Sequence, residues 1–191
     1  AYGLIVHDGT AAARRAAAVT LLLAVLGEVA LLLGFVLLAD AVPGGSVAIA
    51  DAVAALRGGK APDLAIALLI AGFGLKAGLL PLHVWLPLAH PAAPMPASAV
   101  LSGAIVKAGI IGLLRFLPPD GSEAGWGAAL AVIGFATAFW GVGCGITQRN
   151  PKTVLAYSTV SQMGLLAAAL GLGMAAGASD AAPAIAFAAL H

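Results

Sequence analysis

Two lysines, Lys76 and Lys107, stand in the middle of long apolar runs, and a glutamate, Glu28, stands at the centre of a third. An ionisable side chain at membrane depth is costly, so it faces a partner, water or an ion path, and it marks function by default. The chemistry open to such residues is proton transfer. Burial disfavours the ammonium form of a lysine. A carboxylate at about 7 Å, with an effective dielectric of about 20, favours it by about 2.4 kcal/mol. Moving a carboxylate toward or away from a lysine would therefore load or release its proton. Lys76 and Lys107 repel when both are charged, an arrangement suited to handing one proton along through water. The alternative for each lysine is a static pairing with a buried carboxylate. For Glu28 it is a neutral or hydrogen-bonded carboxyl that is merely tolerated. His83 and His90 lie between the lysines and are weaker candidates for the same path, with the capping of a turn as the alternative for His90.

The elements that must position these residues are helices. Lys76 falls at the middle of the segment 62–90, hence near the bilayer midplane, with Pro62 and Asp63 placed to open the helix. Gly78 and Pro81 follow the lysine directly. A proline at 81 clashes with the carbonyl of Ala77 and leaves it without an amide donor, so the helix is expected to break just after Lys76. Non-helical backbone at that depth is tolerated only where protein or a water-filled cavity covers it, and broken helices of this kind hold ion sites in transporters. The dipole of the half-helix before the break favours Lys76 as a cation. After the turn HPAAPMP, Lys107 is the midpoint of the segment 96–118, where Gly103 with Lys107 and Gly109 with Gly112 thin the helix faces for close packing. Arg115 near the exit is expected to snorkel to the headgroups.

Composition sets the class. Of 191 residues, 62% are hydrophobic and 9% charged, with mean hydropathy +1.06, whereas a soluble domain is about 25% charged. The chain is an integral membrane protein, all-α, and reads as one transmembrane bundle with spans at about 15–39, 62–90 (broken near 77–81), 96–117, 124–146, 151–173 and 181–191. Residues 1–10 read as a loop. A short amphipathic helix ending near Arg57 lies at the interface. Trp126 is expected near an interface, Trp140 and Cys144 deeper, as packing. Asn150 and Pro151 supply a cap and a first-turn proline for a helix that is polar early on and so faces protein or water. The single Cys144 offers no disulfide framework and no metal site is read. A net charge of +1 argues against nucleic acid as a partner, and no nucleotide loop, metal cluster or nucleophile arrangement marks an enzyme in its own right. The chain starts without Met and stops at His191 inside an apolar run, so it is read as a fragment of a longer membrane subunit.

Three stretches carry a resemblance: GFGLKAGLLPLHVWLP at 72–87, AHPAAPMPASAVLSGAIVKAGIIGLLR at 89–115 and NPKTVLAYSTVSQMG at 150–164. In that order they resemble the antiporter-like membrane subunits shared by respiratory complex I, energy-converting membrane hydrogenases and Mrp-type cation/proton antiporters, with the HPAAP turn most like the hydrogenase branch. The resemblance implies the sixth through the beginning of the eleventh helix of a fourteen-helix subunit. It implies that Lys76 matches the lysine of the broken seventh helix, Lys107 that of the eighth, and His191 a histidine of the eleventh. These belong in the family to a chain of charged residues and waters along the membrane midplane that moves protons when a redox reaction elsewhere drives it. The subunit itself would carry no redox cofactor. Its partners would be the other membrane subunits of a respiratory or hydrogenase complex and the lipid bilayer, in a bacterial or archaeal cytoplasmic membrane.

The chain departs from the family at two functional places. The twelfth helix, which carries a lysine or glutamate in the family, is not in this sequence. The fifth helix, whose glutamate partners the first lysine in the family, is not in this sequence, and Glu28 falls in the sixth helix instead. Whether Glu28 substitutes for that glutamate is the sharpest question the sequence poses. Three readings follow from the resemblance: a proton-translocating subunit of a redox-driven complex (NADH:quinone oxidoreductase or formate-hydrogenlyase-type hydrogenase), non-catalytic in itself; an Mrp-type cation/proton antiporter subunit; and a structural membrane subunit without transport.

Overall fold

The computed structural model describes residues 2–42, 48–57, 62–117, 123–176 and 186. The described residues are helical, and five helical segments among them, Ala11–Ala41, Asp63–Ala92, Met95–Phe116, Ala124–Ile146 and Pro151–Ala176, are long and apolar enough to cross a membrane. The expected span at 181–191, together with His191, lies outside the described residues.

Residues 1–10 differ from the expected loop: α1 (Tyr2–Ile5) runs into a 3-10 turn (Val6–Asp8). This turn buries Ile5 completely, and Gly9, at φ +63°, reverses the chain into the next helix. Thr10 caps that helix, α2 (Ala11–Ala41), its hydroxyl accepting from the amide of Ala13 at 3.1 Å. Capping at Thr10, one turn before Arg14 and Arg15, makes α2 longer than its apolar run alone predicts. The amphipathic helix is α3 (Ile49–Arg57), which buries Ala55 and Leu56.

The broken span consists of α4 (Asp63–Ala77), a connection through Pro81 and a 3-10 turn (Leu82–Val84), and α5 (Trp85–Ala92). The next span begins as α6 (Met95–Val100), passes through one π-helical turn (Leu101–Ile105) and continues as α7 (Val106–Phe116). The π turn was not legible in the sequence. Two uninterrupted helices follow, α8 (Ala124–Ile146) and α9 (Pro151–Ala176). Asn150 caps α9 by accepting from the amide of Lys152 at 3.0 Å. As its polar start suggests, α9 is the most enclosed of the spans, burying Thr159 and Ser161.

Small residues set the distances between spans, because apolar helices in lipid associate by close packing and not by hydrophobic exclusion. Along α8, Gly127, Gly134 and Gly141 recur every seven residues and face the α9 backbone. A β-carbon on Gly127 would lie 2.8 Å from the Gly171 carbonyl oxygen, and one on Gly134 2.7 Å from that of Gly164. Gly109 of α7 packs against α4 in the same way, 2.6 Å from the Phe73 carbonyl oxygen, while Gly103, expected to thin the same face, meets nothing within 4 Å. Phe73, Phe35 and Phe116 join α4, α2 and α7, with Phe35 set edge-on to Phe116 at a centroid distance of 4.8 Å and Phe73 stacked on Phe116 at 5.8 Å.

Candidate functional site

The helix break is built by capping. Gly78 adopts the left-handed conformation at φ +74°, its amide donating to the Leu75 carbonyl at 3.2 Å, and the amide of Leu79 reaches back to the Gly74 carbonyl at 2.8 Å. This double closure is the Schellman motif, and it needs a residue without a β-carbon at the turn. The expected break therefore comes at Gly78, with Pro81 beyond it holding the chain out of the helix. Two side chains satisfy what the break leaves open. The buried indole of Trp85 donates to the Leu75 carbonyl at 2.9 Å, and the fully buried Thr137 hydroxyl of α8 accepts from the Leu80 amide at 3.0 Å while donating to Ile133 at 2.6 Å. Sequence reasoning missed both, since each partner lies in another element or across the break.

Lys76 sits in the last turn of α4, where the carbonyl ends favour a cation. Its ammonium meets Glu28 of α2, Nζ to Oε1 at 2.5 Å. The crossing of the two helices explains the meeting. A β-carbon on Gly72 would lie 2.9 Å from the Gly27 carbonyl oxygen and 2.6 Å from Leu31 Cγ. Backbones this close bring Glu28, next to Gly27, and Lys76, one turn after Gly72, within side-chain reach. Lys76 is 29% exposed and Glu28 64%. Beside them a cavity of about 70 Å³ is lined by Thr20, Ala24, Leu75, Lys76, Trp85 and Ile105. Its wall is largely apolar, and the hydroxyl of Thr20 donates to the Ala16 carbonyl at 2.8 Å.

Lys107 stands apart from this pair. It is exposed in α7 and has no ion-pair or hydrogen-bond partner among the described residues. The π turn just before it turns Ser102 toward α5. There the buried His90 is held on both ring nitrogens, Nδ1 by the Ser98 hydroxyl at 2.6 Å and Nε2 by the Ser102 hydroxyl at 2.7 Å. His90 thus does more than cap a turn, and the two serines are partners the sequence did not single out. A turn away, the Lys152 ammonium donates to the Ala93 carbonyl at 2.9 Å. His83 accepts from the Trp140 indole, Nε2 to Nε1 at 3.1 Å. Trp140, expected deep and as packing, is 51% exposed, and its indole is turned to this bond. Trp126 donates to Asp63 at 2.9 Å, tying α8 to the start of α4. No cluster of three His, Cys, Asp or Glu that could hold a metal occurs among the described residues.

The arrangement is a cation and a carboxylate in contact at a helix break, beside a small cavity, with imidazoles on the segment that follows. It can hold, take up and give up protons. The fold is similar to that of known membrane proteins. A structure of a membrane-bound sulfane sulfur reductase, an archaeal respiratory membrane complex, superposes with a TM-score of 0.79 at 30% identity over 89% of this chain and 36% of that one. The Mrp complex from a Dietzia species superposes at 0.77 with 26% identity, over 90% of this chain and 33% of that one. Hydrogenase-4 component B of Escherichia coli is 45% identical over 107 residues, 54% of this chain and 16% of its own length. The chain spans less than a quarter of the length of the curated relatives it matches. Residues 1–190 match the family described as NADH:quinone oxidoreductase/Mrp antiporter, transmembrane. The chain is an integral membrane protein, and with its all-helical fold, its broken helix and this match over nearly its full length, it belongs to the NADH:quinone oxidoreductase/Mrp antiporter family.

Proposed function

We propose that the chain is part of an antiporter-like subunit that moves protons across a bacterial or archaeal cytoplasmic membrane, driven by a redox reaction in neighbouring subunits of the hydrogenase or NADH:quinone oxidoreductase type. The observation that carries this reading is the Lys76–Glu28 contact at the break between α4 and α5. In this reading Glu28 takes the part of the family's fifth-helix glutamate. Close, it holds the proton on Lys76; withdrawn, it lets the partly exposed ammonium give that proton to water. Lys107 is the next station, His83 and His90 lie along or beside the route, and His191 belongs to a later one. The chain supplies no catalysis of its own. Its partners are other membrane subunits and lipid, with no nucleic acid. The likeness to Hydrogenase-4 component B and to the archaeal respiratory complex supports the redox-driven form.

The likeness to an Mrp complex supports a second reading, a cation/proton antiporter without a redox partner. Inside-out vesicles carrying the full-length protein in its complex separate the two. The first reading expects proton uptake on addition of the electron donor, lost in Lys76→Ala. Na⁺-dependent proton exchange without any donor would select the second.

A further inference from the structure

His83 and Trp140 make a contact that the path described above does not yet use. His83 lies in the 3-10 turn just after Pro81, and Trp140 belongs to α8. The two rings meet edge to face, centroids 6.3 Å apart at 76°, with the indole N–H directed at Nε2. An indole nitrogen only donates. Nε2 must therefore offer its lone pair, and the imidazole in this arrangement is neutral with its proton on Nδ1. His83 is 8% exposed; its Nδ1 meets no acceptor at full hydrogen-bond geometry among the described residues, and the Pro81 backbone carbonyl is close enough to interact with the ring. A buried donor left unpaired costs free energy. Folding thus holds the ring chiefly through Trp140 at Nε2, with the Pro81 carbonyl beside it at the helix break.

We propose that Trp140 is a positioning residue of the proton path: it holds His83 as the Nδ1–H tautomer, so that Nε2 is the atom where a proton is taken up and the contact between α8 and the break opens when it is. The inference rests on the proton-transfer reading for its role, while the tautomer itself does not. Uptake forms an Nε2–H bond and breaks the indole hydrogen bond, since two donors cannot face each other. Release of that proton from Nε2 restores the lone pair and lets Trp140 dock again. One proton enters and one leaves, and the ring returns to its starting form.

The test uses the full-length protein in its complex, in lipid, with ¹⁵N-histidine, where nitrogen NMR separates the two neutral tautomers and His83→Gln assigns the signal. In the unmodified protein His83 should be neutral and protonated on Nδ1. Trp140→Phe keeps an aromatic ring and removes the donor. It should move the tautomer equilibrium toward Nε2–H by about two- to tenfold, the worth of one neutral hydrogen bond, and lower donor-driven proton translocation by a similar factor. It should have no further effect when His83 is already Gln. A His83 protonated on Nε2 in the unmodified protein, or a tautomer unchanged in Trp140→Phe, would overturn the proposal. The first of these measurements needs no change at Trp140, so it decides the matter even if the Phe protein fails to assemble. Undiminished translocation in Lys76→Ala is a separate result, which would remove the proton-transfer reading and not the tautomer.

Discussion

Lys76 Nζ and Glu28 Oε1 stand 2.5 Å apart although 48 residues separate them in the chain. The pairing is set by two residues that have no side chain. Gly27 and Gly72 let α2 and α4 cross with their backbones in contact, and the charged pair sits on the rim of that crossing. A membrane cation paired in this way is tolerated because the alternative, an ammonium facing lipid, is costlier still.

Gly72→Ala should weaken this pair without touching either charge. The added methyl would meet Leu31 Cγ at 2.6 Å and the Gly27 backbone oxygen at 2.9 Å, and backbone cannot rotate away. Overpacking of this kind costs about 1–3 kcal/mol. Thermal unfolding of the purified full-length protein in detergent should show a lowered Tm. Gly103→Ala is the control: its β-carbon meets nothing within 4 Å among the described residues, and alanine is favoured over glycine in a helical turn, so its Tm should not fall.

Gly78→Ala tests the break itself. Its β-carbon has ordinary contact with Leu86 at 3.6 Å, so space is not the obstacle. The obstacle is φ at +74°, a left-handed conformation that costs an L-residue about 1–2 kcal/mol. The same unfolding measurement should report that loss, with proton translocation reduced if the turn relaxes toward continuous helix.

Thr137→Val leaves the Leu80 amide, in the part-buried connection after the break, without its acceptor. An unsatisfied buried donor costs about 1–3 kcal/mol. Thr137→Ser keeps the hydroxyl and should restore most of the stability. Equal Tm values for the Val and Ser proteins would mean that the hydroxyl does not hold the break.

Much of this arrangement is legible in the sequence because its signals are local. A lysine at the centre of an apolar run, a glycine two residues on and a proline three beyond that point to a break whatever lies nearby, and the helix bears this out at Gly78. Family membership was legible for the same reason, in three unbroken stretches. What the sequence could not show depends on contacts between distant residues. That Glu28 reaches Lys76 follows from the Gly27–Gly72 crossing, and α2 taken alone presents that carboxylate among exposed leucines such as Leu26 and Leu32. The Trp140 indole looked like packing because nothing near it in the chain needs a donor; its acceptor lies 57 residues earlier. The π turn has no local signature such as a proline, and it is read only from the hydrogen-bond pattern that turns Ser102 to His90.

The most direct measurement of the central claim is donor-driven proton translocation by inside-out vesicles containing the full-length protein in its complex, comparing Glu28→Gln, Lys76→Ala and the double variant. If the carboxylate loads and unloads the lysine, each single change should lower translocation by about tenfold or more, the scale of losing a positioned proton donor or acceptor. The double variant should then be no worse than Lys76→Ala alone, as expected when two residues act as one unit. Translocation unchanged in Glu28→Gln, with Lys76→Ala inactive, would contradict the pairing as the loading step.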